Sequence, residues 1–527
     1  MSQRIGWVGP LGDRGGYGNV ARNYVRGLLE CGVSVTTAPI GVEHPEIGTR
    51  ERELLGGLAR VRGDEDLVVV HADPGSLPGL IAHMRERYDG PIAACTIGET
   101  DRVPVEWARG CNLADEIWLP STFNLLTFAR SGVDLDRMRL VPYGMDPFGW
   151  DAEGPVAQAV APEDHFVFLY AFAFDWRKGF DLLLAAYLNE FTRADATTLV
   201  VKVYDPTPRE TSISARLAAA VAEHVDLFRQ DLPRVAILDQ PLAREELTAL
   251  YRRANLYIST DRANGWGMPC MEAMTMGRPA ACIDWSGSTE FMREDNALLI
   301  APSVNLVPVD PRLQAERTVY RGQRWPEVAV ADVAATMRGA VGERDALAAL
   351  GARAREEIRE HWSVAASGRW ILERDGAQAY RSPAGLADRL RPLVGLAAEP
   401  PMREARENVL ALAVDPWRSD WHDGLRAFAD TFDNDDPVTL CLWAAPGADP
   451  AALTHAVTQT LTDAGHDADA GPDLLLTFAD PEEALVEPRL RGIITPAALW
   501  PLRHRTVAPR PDALRAALDE PGALVSL

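Results

Sequence analysis

The sequence is poor in the residues that would staple a fold or hold a metal. Its six cysteines, Cys31, Cys95, Cys111, Cys270, Cys282 and Cys441, are scattered through 527 residues with no C-x-x-C pair, and no cluster of its ten histidines stands at metal-ligand spacing. That excludes a disulfide-built scaffold and a zinc module, and points to buried thiols in a reducing compartment. Positive charge is scarce too. Lys and Arg number 53 against 76 Asp and Glu, a formal charge of −23, which argues against nucleic acid or an anionic membrane as the main partner but leaves room for a small anionic ligand held by a few local cations. The chain has no run of eighteen uncharged apolar residues, and its start, MSQRIGWVGP, has no leader-like apolar stretch. No transmembrane segment is therefore expected, and the location expected is cytoplasmic. What is plentiful is apolar content, 47%, enough at this length for about two to four globular domains.

The stretch from Tyr257 to Ile300 organises the rest. It reads as a strand (Leu256 to Ser259), a Gly-rich turn (Asn264, Gly265, Trp266, Gly267), a helix opened by Pro269 and stopped by Gly277, a strand (Ala280 to Asp284) and a second turn (Ser286 to Thr289). Proline suits a first helical position because its missing donor would be orphaned there anyway, so Gly267 and Met268 present free amides at a positive helix end. That makes an anion site, with Glu272 about one turn inside the helix to meet hydroxyls. Taken alone, the same residues also read as a plain strand-turn-helix corner.

Upstream, Arg4 to Val8 reads as a strand, followed by a loop containing Gly15 and Gly16, a helix from about Asn19 to Glu30, and a strand at Val33 to Thr37. Gly16 to Ala21 spells G-x-G-x-x-A, but it begins well past the strand end and no acid closes the second strand, so NAD fits poorly and a glycine loop lying against some other ligand reads better. Apolar runs at Leu67 to Val70, Pro91 to Cys95, Glu116 to Leu119 and Arg139 to Val141 give the cadence of a doubly wound parallel sheet, whose ligands bind beyond the strand ends. His71 and Asp73, then Glu99, Thr100 and Asp101, fall at two such ends as candidate acid/base or hydroxyl-binding groups; each alone also reads as a solvated or capping residue. The Pro/Gly-rich, acidic segment from Asp146 to Asp164 reads as a linker. A second set follows: strand Phe166 to Phe172, the cations Arg177 and Lys178, helix Phe180 to Phe191, strands at Thr198 to Val203 and Ala236 to Leu238, and helix Glu245 to Arg253. Two adjacent cations at a helix start oppose the helix dipole, which favours an anion-binding role over simple exposure. Ala301 to Glu327 reads as an irregular insert, and long helices run from there to about Tyr380.

The ordered set P-S-x-F (Pro120 to Phe123), S-G-V (Ser131 to Val133), V-P-x-G-x-D (Val141 to Asp146), R-K-G (Arg177 to Gly179), G-W-G-x-P-x-x-E-A-M-x-x-G-x-P (Gly265 to Pro279) and W-S-G-x-T-E-F (Trp285 to Phe291) resembles the family 4 retaining glycosyltransferases. The resemblance covers about Ile5 to Tyr380. It implies an α/β protein of GT-B fold, with two Rossmann-like domains facing a cleft: residues 1–150 on the acceptor side and 151–395 holding the nucleotide-sugar donor. It also implies transfer of a sugar, a hexose by expectation, from a nucleoside-diphosphate sugar to a hydroxyl acceptor, with no cofactor and no metal. Arg177 and Lys178 would neutralise the diphosphate and Glu272 would bind the ribose. Gly15, Gly16, Asn264, Gly265, Trp266, Gly267, Met268, Ser288, Thr289 and Glu290 would complete the donor site, with His71, Asp73, Glu99 and Thr100 on the acceptor side. The chain departs from the family's pattern in three places. Asn264 stands where an E-x7-E array has its first glutamate, Ala173 stands where G-R-x-x-x-x-K has its arginine, and Gly98-Glu99-Thr100 stands where many members carry a histidine. A weakly active or inactive nucleotide-sugar-binding scaffold is the alternative, followed by an epimerase or hydrolase on the same fold.

Beyond residue 400 the sequence repeats an earlier part. Trp176 and Trp417, Phe191 and Phe432, and Leu199 and Leu440 stand at a constant offset of 241. The copy keeps apolar positions and loses ligand positions, with Ser419 for Lys178 and Asp420 for Gly179. Residues 400–527 are therefore expected to form a truncated Rossmann-like α/β subdomain without a donor site, used for stability, for a homo-oligomer or for a protein partner.

Overall fold

The computed structural model describes residues 3–41, 47–205, 211–303 and 306–372, and beyond them 408–414, 425–426, 428–430, 438–444, 450–465, 474–477, 490–494 and 506–507. The chain divides into two units, Met1–Leu390 and Arg391–Leu527.

The first unit contains two parallel sheets. One is built from β1 (Arg4–Gly9), β2 (Ser34–Pro39), β3 (Ala59–Arg60), β4 (Leu67–His71), β5 (Ile92–Cys95), β6 (Glu116–Leu119) and β7 (Met138–Leu140), in the order β3-β2-β1-β4-β5-β6-β7. The other is built from β8 (Phe166–Ala173), β9 (Thr197–Tyr204), β10 (Arg234–Leu238), β11 (Leu256–Ile258), β12 (Ala280–Ile283) and β13 (Leu298–Ile300), in the order β10-β9-β8-β11-β12-β13. Strands such as LVVVH and FVFLYAFA are apolar nearly throughout because helices cover both faces of a parallel sheet. In each sheet the order reverses beside the first strand, between β1 and β4 and between β8 and β11. Ligands of doubly wound sheets bind at such switch points.

Glycines fix the close approaches. Gly179, at φ 58°, lets the Phe180–Glu190 helix start against the β11 loop, where a Cβ would meet the Thr260 oxygen at 2.0 Å. After the second sheet the chain returns to the first. The Val364–Leu372 helix lies on the Gly16–Glu30 helix, and a Cβ on Gly368 would meet the Gly27 oxygen at 2.3 Å. At this return the two passages of chain between the sheets touch: the Met145 amide donates to the Trp362 oxygen at 2.7 Å, and Met145 forms a parallel bridge with Ser363.

The Gly16–Glu30 helix begins three residues before the expected start: Gly16 to Gly18 already form its first turn, with Gly18 buried against the Asp13 backbone, where a Cβ would meet the Asp13 oxygen at 2.1 Å. The Ile213–Val221 helix carries no signal strong enough to have been expected. The insert expected to be irregular contains a two-stranded antiparallel ribbon, β14 (Leu306–Pro308) with β15 (Arg324–Pro326), and the Pro311–Glu316 helix. They close over a small core of Ala263, Val309, Leu313, Tyr320 and Trp325.

The second unit, taken by itself, has a parallel sheet of β16 (Asn408–Val414), β17 (Val438–Ala444), β18 (Leu474–Thr477), β19 (Leu490–Ile494) and β20 (Thr506–Val507), in the order β18-β17-β16-β19-β20, with a Pro450–Asp463 helix.

Candidate functional site

The loops after β8 and β11, at the switch point of the second sheet, bring the cations and the helix end together. Lys178 Nζ lies 2.6 Å from an Asp261 carboxylate oxygen, and the Tyr170 hydroxyl donates to the other oxygen. Arg177 Nη1 donates to the Ala263 oxygen at 2.9 Å, and its Nη2 meets Glu99 of the first sheet at 3.1 Å. Burial works against the Arg177 charge, but Glu99 and the neighbouring acids more than offset it and hold the guanidinium above the ordinary arginine range. Neither cation projects freely. Each is paired with a carboxylate, Arg177 with Glu99 and Lys178 with Asp261.

Gly267, at φ 91°, caps the Met268–Thr275 helix with no side-chain cap, while Ser286, at φ 76°, shapes the adjoining turn. The two turns interlock: the Gly287 amide donates to the Asn264 oxygen at 3.1 Å, and a Cβ on Gly287 would overlap the Gly265 oxygen. Asn264 is buried with its Oδ1 unpartnered. Glu272 accepts from the Tyr251 hydroxyl at 2.9 Å, and burial pushes its pKa up to about 7. Met268 is partly buried beside the core. Ser288 is fully buried against Cys282, and the Thr289 hydroxyl donates to the Ser286 oxygen at 2.8 Å.

Not every residue expected at the donor site faces it. Trp266 is buried among Tyr143, Phe291 and Trp362, and serves as core. Glu290 accepts from the Thr122 amide at 2.6 Å, so its carboxylate sits on the first turn of the Thr122–Arg130 helix of the first sheet, where the helix dipole favours it. Gly15 caps the Gly16–Glu30 helix, and a Cβ on Gly16 would meet nothing within 4 Å. The preceding Asp13 and Arg14 lie within electrostatic reach of Tyr204, which is 46% exposed at the end of β9 and also feels Arg177.

The four acceptor-side candidates separate. Asp73 accepts from both the amide and the hydroxyl of Ser76, a turn-capping arrangement. His71 is fully buried among Trp7, Tyr17 and Tyr24, and burial lowers its pKa to about 3, which keeps it neutral. The Thr100 hydroxyl is tied to Gln323 of the insert, and Asp101 accepts from the Arg324 amide at 2.7 Å, so these residues stitch the insert to the first sheet. Of the four, Glu99 is the one paired with a cation of the second sheet, Arg177. The sequence offered no signal for Asp261 or Tyr251, because each acts on a partner 83 or 21 residues away.

Among the described residues no group of three or more His, Cys, Asp or Glu could hold a metal ion, and no helix is long and apolar enough to cross a membrane.

Residues 164–307 match the family described as Glycosyl transferases group 1. Among solved structures, HepE from Anabaena in complex with UDP and glucose is similar at 14% identity and a TM-score of 0.51, over 71% of this chain and 100% of that one. Sucrose-phosphate synthase from Thermosynechococcus elongatus is similar at 16% identity and a TM-score of 0.50, over 75% and 100%. A glycosyltransferase from Rickettsia africae is similar at 12% identity and a TM-score of 0.51, over 71% and 97%. A search of curated protein sequences gives no match. At these identities the likeness is one of fold, and the fold is GT-B: two Rossmann-like domains of parallel sheet and helices.

Proposed function

We propose that the protein transfers a sugar from a nucleoside-diphosphate sugar to a hydroxyl acceptor, with retention at the anomeric carbon. The observation that carries this is the placement of Arg177 and Lys178 beside the Gly267-capped helix at the β8/β11 switch point. In such a site the diphosphate takes the guanidinium and the ammonium from Glu99 and Asp261, and the free amides at Gly267 and Met268 add dipoles of the same sign. Glu272 lies a turn deeper, placed for ribose hydroxyls. As the bond between the anomeric carbon and the phosphate oxygen breaks, charge grows on the diphosphate where these groups already stand, and that preorganised field lowers the barrier. The acceptor oxygen bonds to the same face of the anomeric carbon, and its proton passes to the departing phosphate oxygen. No protein nucleophile enters this route, and the positive charge it requires comes from side chains of the chain itself.

Thermal shift against UDP, GDP, ADP and NAD tests the reading, followed by NMR of the anomeric proton in any product. Stabilisation by one nucleoside diphosphate and a product of unchanged anomeric configuration are expected; stabilisation by NAD alone would sink it. Asn264 favours a second reading, a nucleotide-sugar-binding scaffold, because it removes a carboxylate from the site. Nucleoside-diphosphate binding with no turnover across a broad acceptor panel would select that reading.

A further inference from the structure

A carboxylate of the first sheet, that of Glu99, reaches the loops of the second sheet beside Asn264. Asn124 of the first sheet clamps the two loops together: its Oδ1 accepts from the Gly98 amide at 2.6 Å and its Nδ2 donates to the Gly265 oxygen at 2.9 Å. The approach is close enough that a Cβ on Gly265 would lie 2.1 Å from Ile97 and 2.9 Å from the Gly98 oxygen. Glu99 follows this clamp directly. One of its oxygens meets Arg177, whose guanidinium also donates to the Ala263 oxygen, and the other accepts from the Tyr320 hydroxyl at 2.6 Å. The Glu99 carboxylate therefore lies one guanidinium away from the Ala263–Asn264 peptide. Its side chain remains 31% exposed, which leaves lone pairs open to a ligand. Asn264 cannot supply a negative charge, and its buried Oδ1 already lacks a donor.

We propose that Glu99 is the substrate-facing carboxylate of this site. It holds Arg177 while the site is empty, yields Arg177 to the diphosphate of an incoming donor, and then, still anchored on Tyr320, accepts a hydrogen bond from a hydroxyl of the sugar being transferred. Asn124 and Tyr320 are positioning residues: the first fixes the loop that carries Glu99, the second fixes its carboxylate. The proposal rests on the donor reading given above and adds to it the residue that senses the sugar.

The test uses the full chain and separates binding from transfer. Affinity for UDP, GDP and ADP is measured by calorimetry, and release of the nucleoside diphosphate from UDP-glucose, GDP-mannose and ADP-glucose into water is measured as turnover. For Glu99→Gln the two readouts are expected to move in opposite directions. The nucleoside diphosphate binds more tightly, by about three-fold or more, because Arg177 no longer has a competing carboxylate, and turnover falls by about ten-fold or more, the scale of a lost hydrogen bond to a charged group. Tyr320→Phe shows a smaller fall in turnover, and Glu99→Asp retains more turnover than Glu99→Gln. Turnover at the wild-type rate in Glu99→Gln would overturn the proposal. So would a joint loss of binding and turnover that follows a lowered unfolding midpoint, which would mark Glu99 as scaffold. If the wild-type chain binds none of the three nucleotides, the donor reading itself fails, and that outcome is visible before any variant is made.

Discussion

Set side by side, the sheet of residues 166–300 and that of residues 408–507 run their strands in one order, β10-β9-β8-β11-β12 against β18-β17-β16-β19-β20. At the 241-residue offset the buried positions coincide: Leu184 with Leu425, Tyr187 with Phe428, Leu199 with Leu440 and Val201 with Leu442. The ligand positions do not. Lys178 and Gly179 correspond to Ser419 and Asp420, which lie outside the described residues, and the sequence offers no counterpart of the Gly267 to Glu272 helix. A sheet of this kind needs only its pattern of apolar residues to form, whereas a site needs particular groups at strand ends, so the first outlasts the second.

The comparison can be broken at its strongest point first. Lys178→Ala should lower kcat/KM by on the order of 100- to 1,000-fold, the usual cost of removing a group that stabilises developing negative charge, read from donor turnover; near wild-type kinetics would mean that Lys178 does not set the second sheet apart from its copy. Next comes Glu272. Its raised pKa means that the folded protein binds this proton more tightly than the unfolded chain, so the stabilisation is complete below the ordinary value of 4.5 and is lost as pH rises through about 7. Urea unfolding across that window should show a fall of about 3 kcal/mol that is absent in Glu272→Gln, and an equal slope in both proteins would show the carboxyl to be ordinary. Gly265→Ala should cost about 1–3 kcal/mol of stability, the scale of overpacking, because the added Cβ has Ile97 and Gly98 in its way; an unfolding midpoint equal to wild type would contradict the close approach. The smallest effect is sought in the copy: Ser419→Lys with Asp420→Gly should add no second binding event in UDP calorimetry, and deleting 407–527 should leave UDP affinity within about two-fold, as expected of a separate domain. Loss of turnover on that deletion, with folding and donor affinity intact, would rule out a purely structural tail.

Much of the fold was legible because its signals are local. Most strands of the two main sheets are short apolar runs ended by a glycine or a polar loop, and Gly267 with Pro269 marks a helix start within three residues; β3, two exposed residues, and β13 gave no such signal and were not expected. The same locality made Arg177 and Lys178 visible as a misfit at a helix start. What was not legible depends on contacts far apart in sequence. Nothing near Trp266 says that Trp362 will cover it, and nothing near Glu290 says that the first turn of the Thr122–Arg130 helix will claim its carboxylate. The insert looked irregular because its ribbon is only three residues on each side and is held by Thr100 and Asp101 of the other sheet. Glu99 was one of four equivalent-looking acids and polar groups at strand ends until Arg177 singled it out.

The bridge between Met145 and Ser363 has a mechanical consequence. The chain passes between the two sheets twice, and at this bridge the passages lie side by side, joined by the Met145–Trp362 hydrogen bond. Two tethers set far apart would join the halves at two places, whereas tethers that touch join them at one. A change at Met145 or Trp362 therefore acts on both passages at once, while the Asn124 clamp, the Glu290 carboxylate on the Thr122 amide and the ties from the insert to Thr100 and Asp101 hold the sheets together elsewhere.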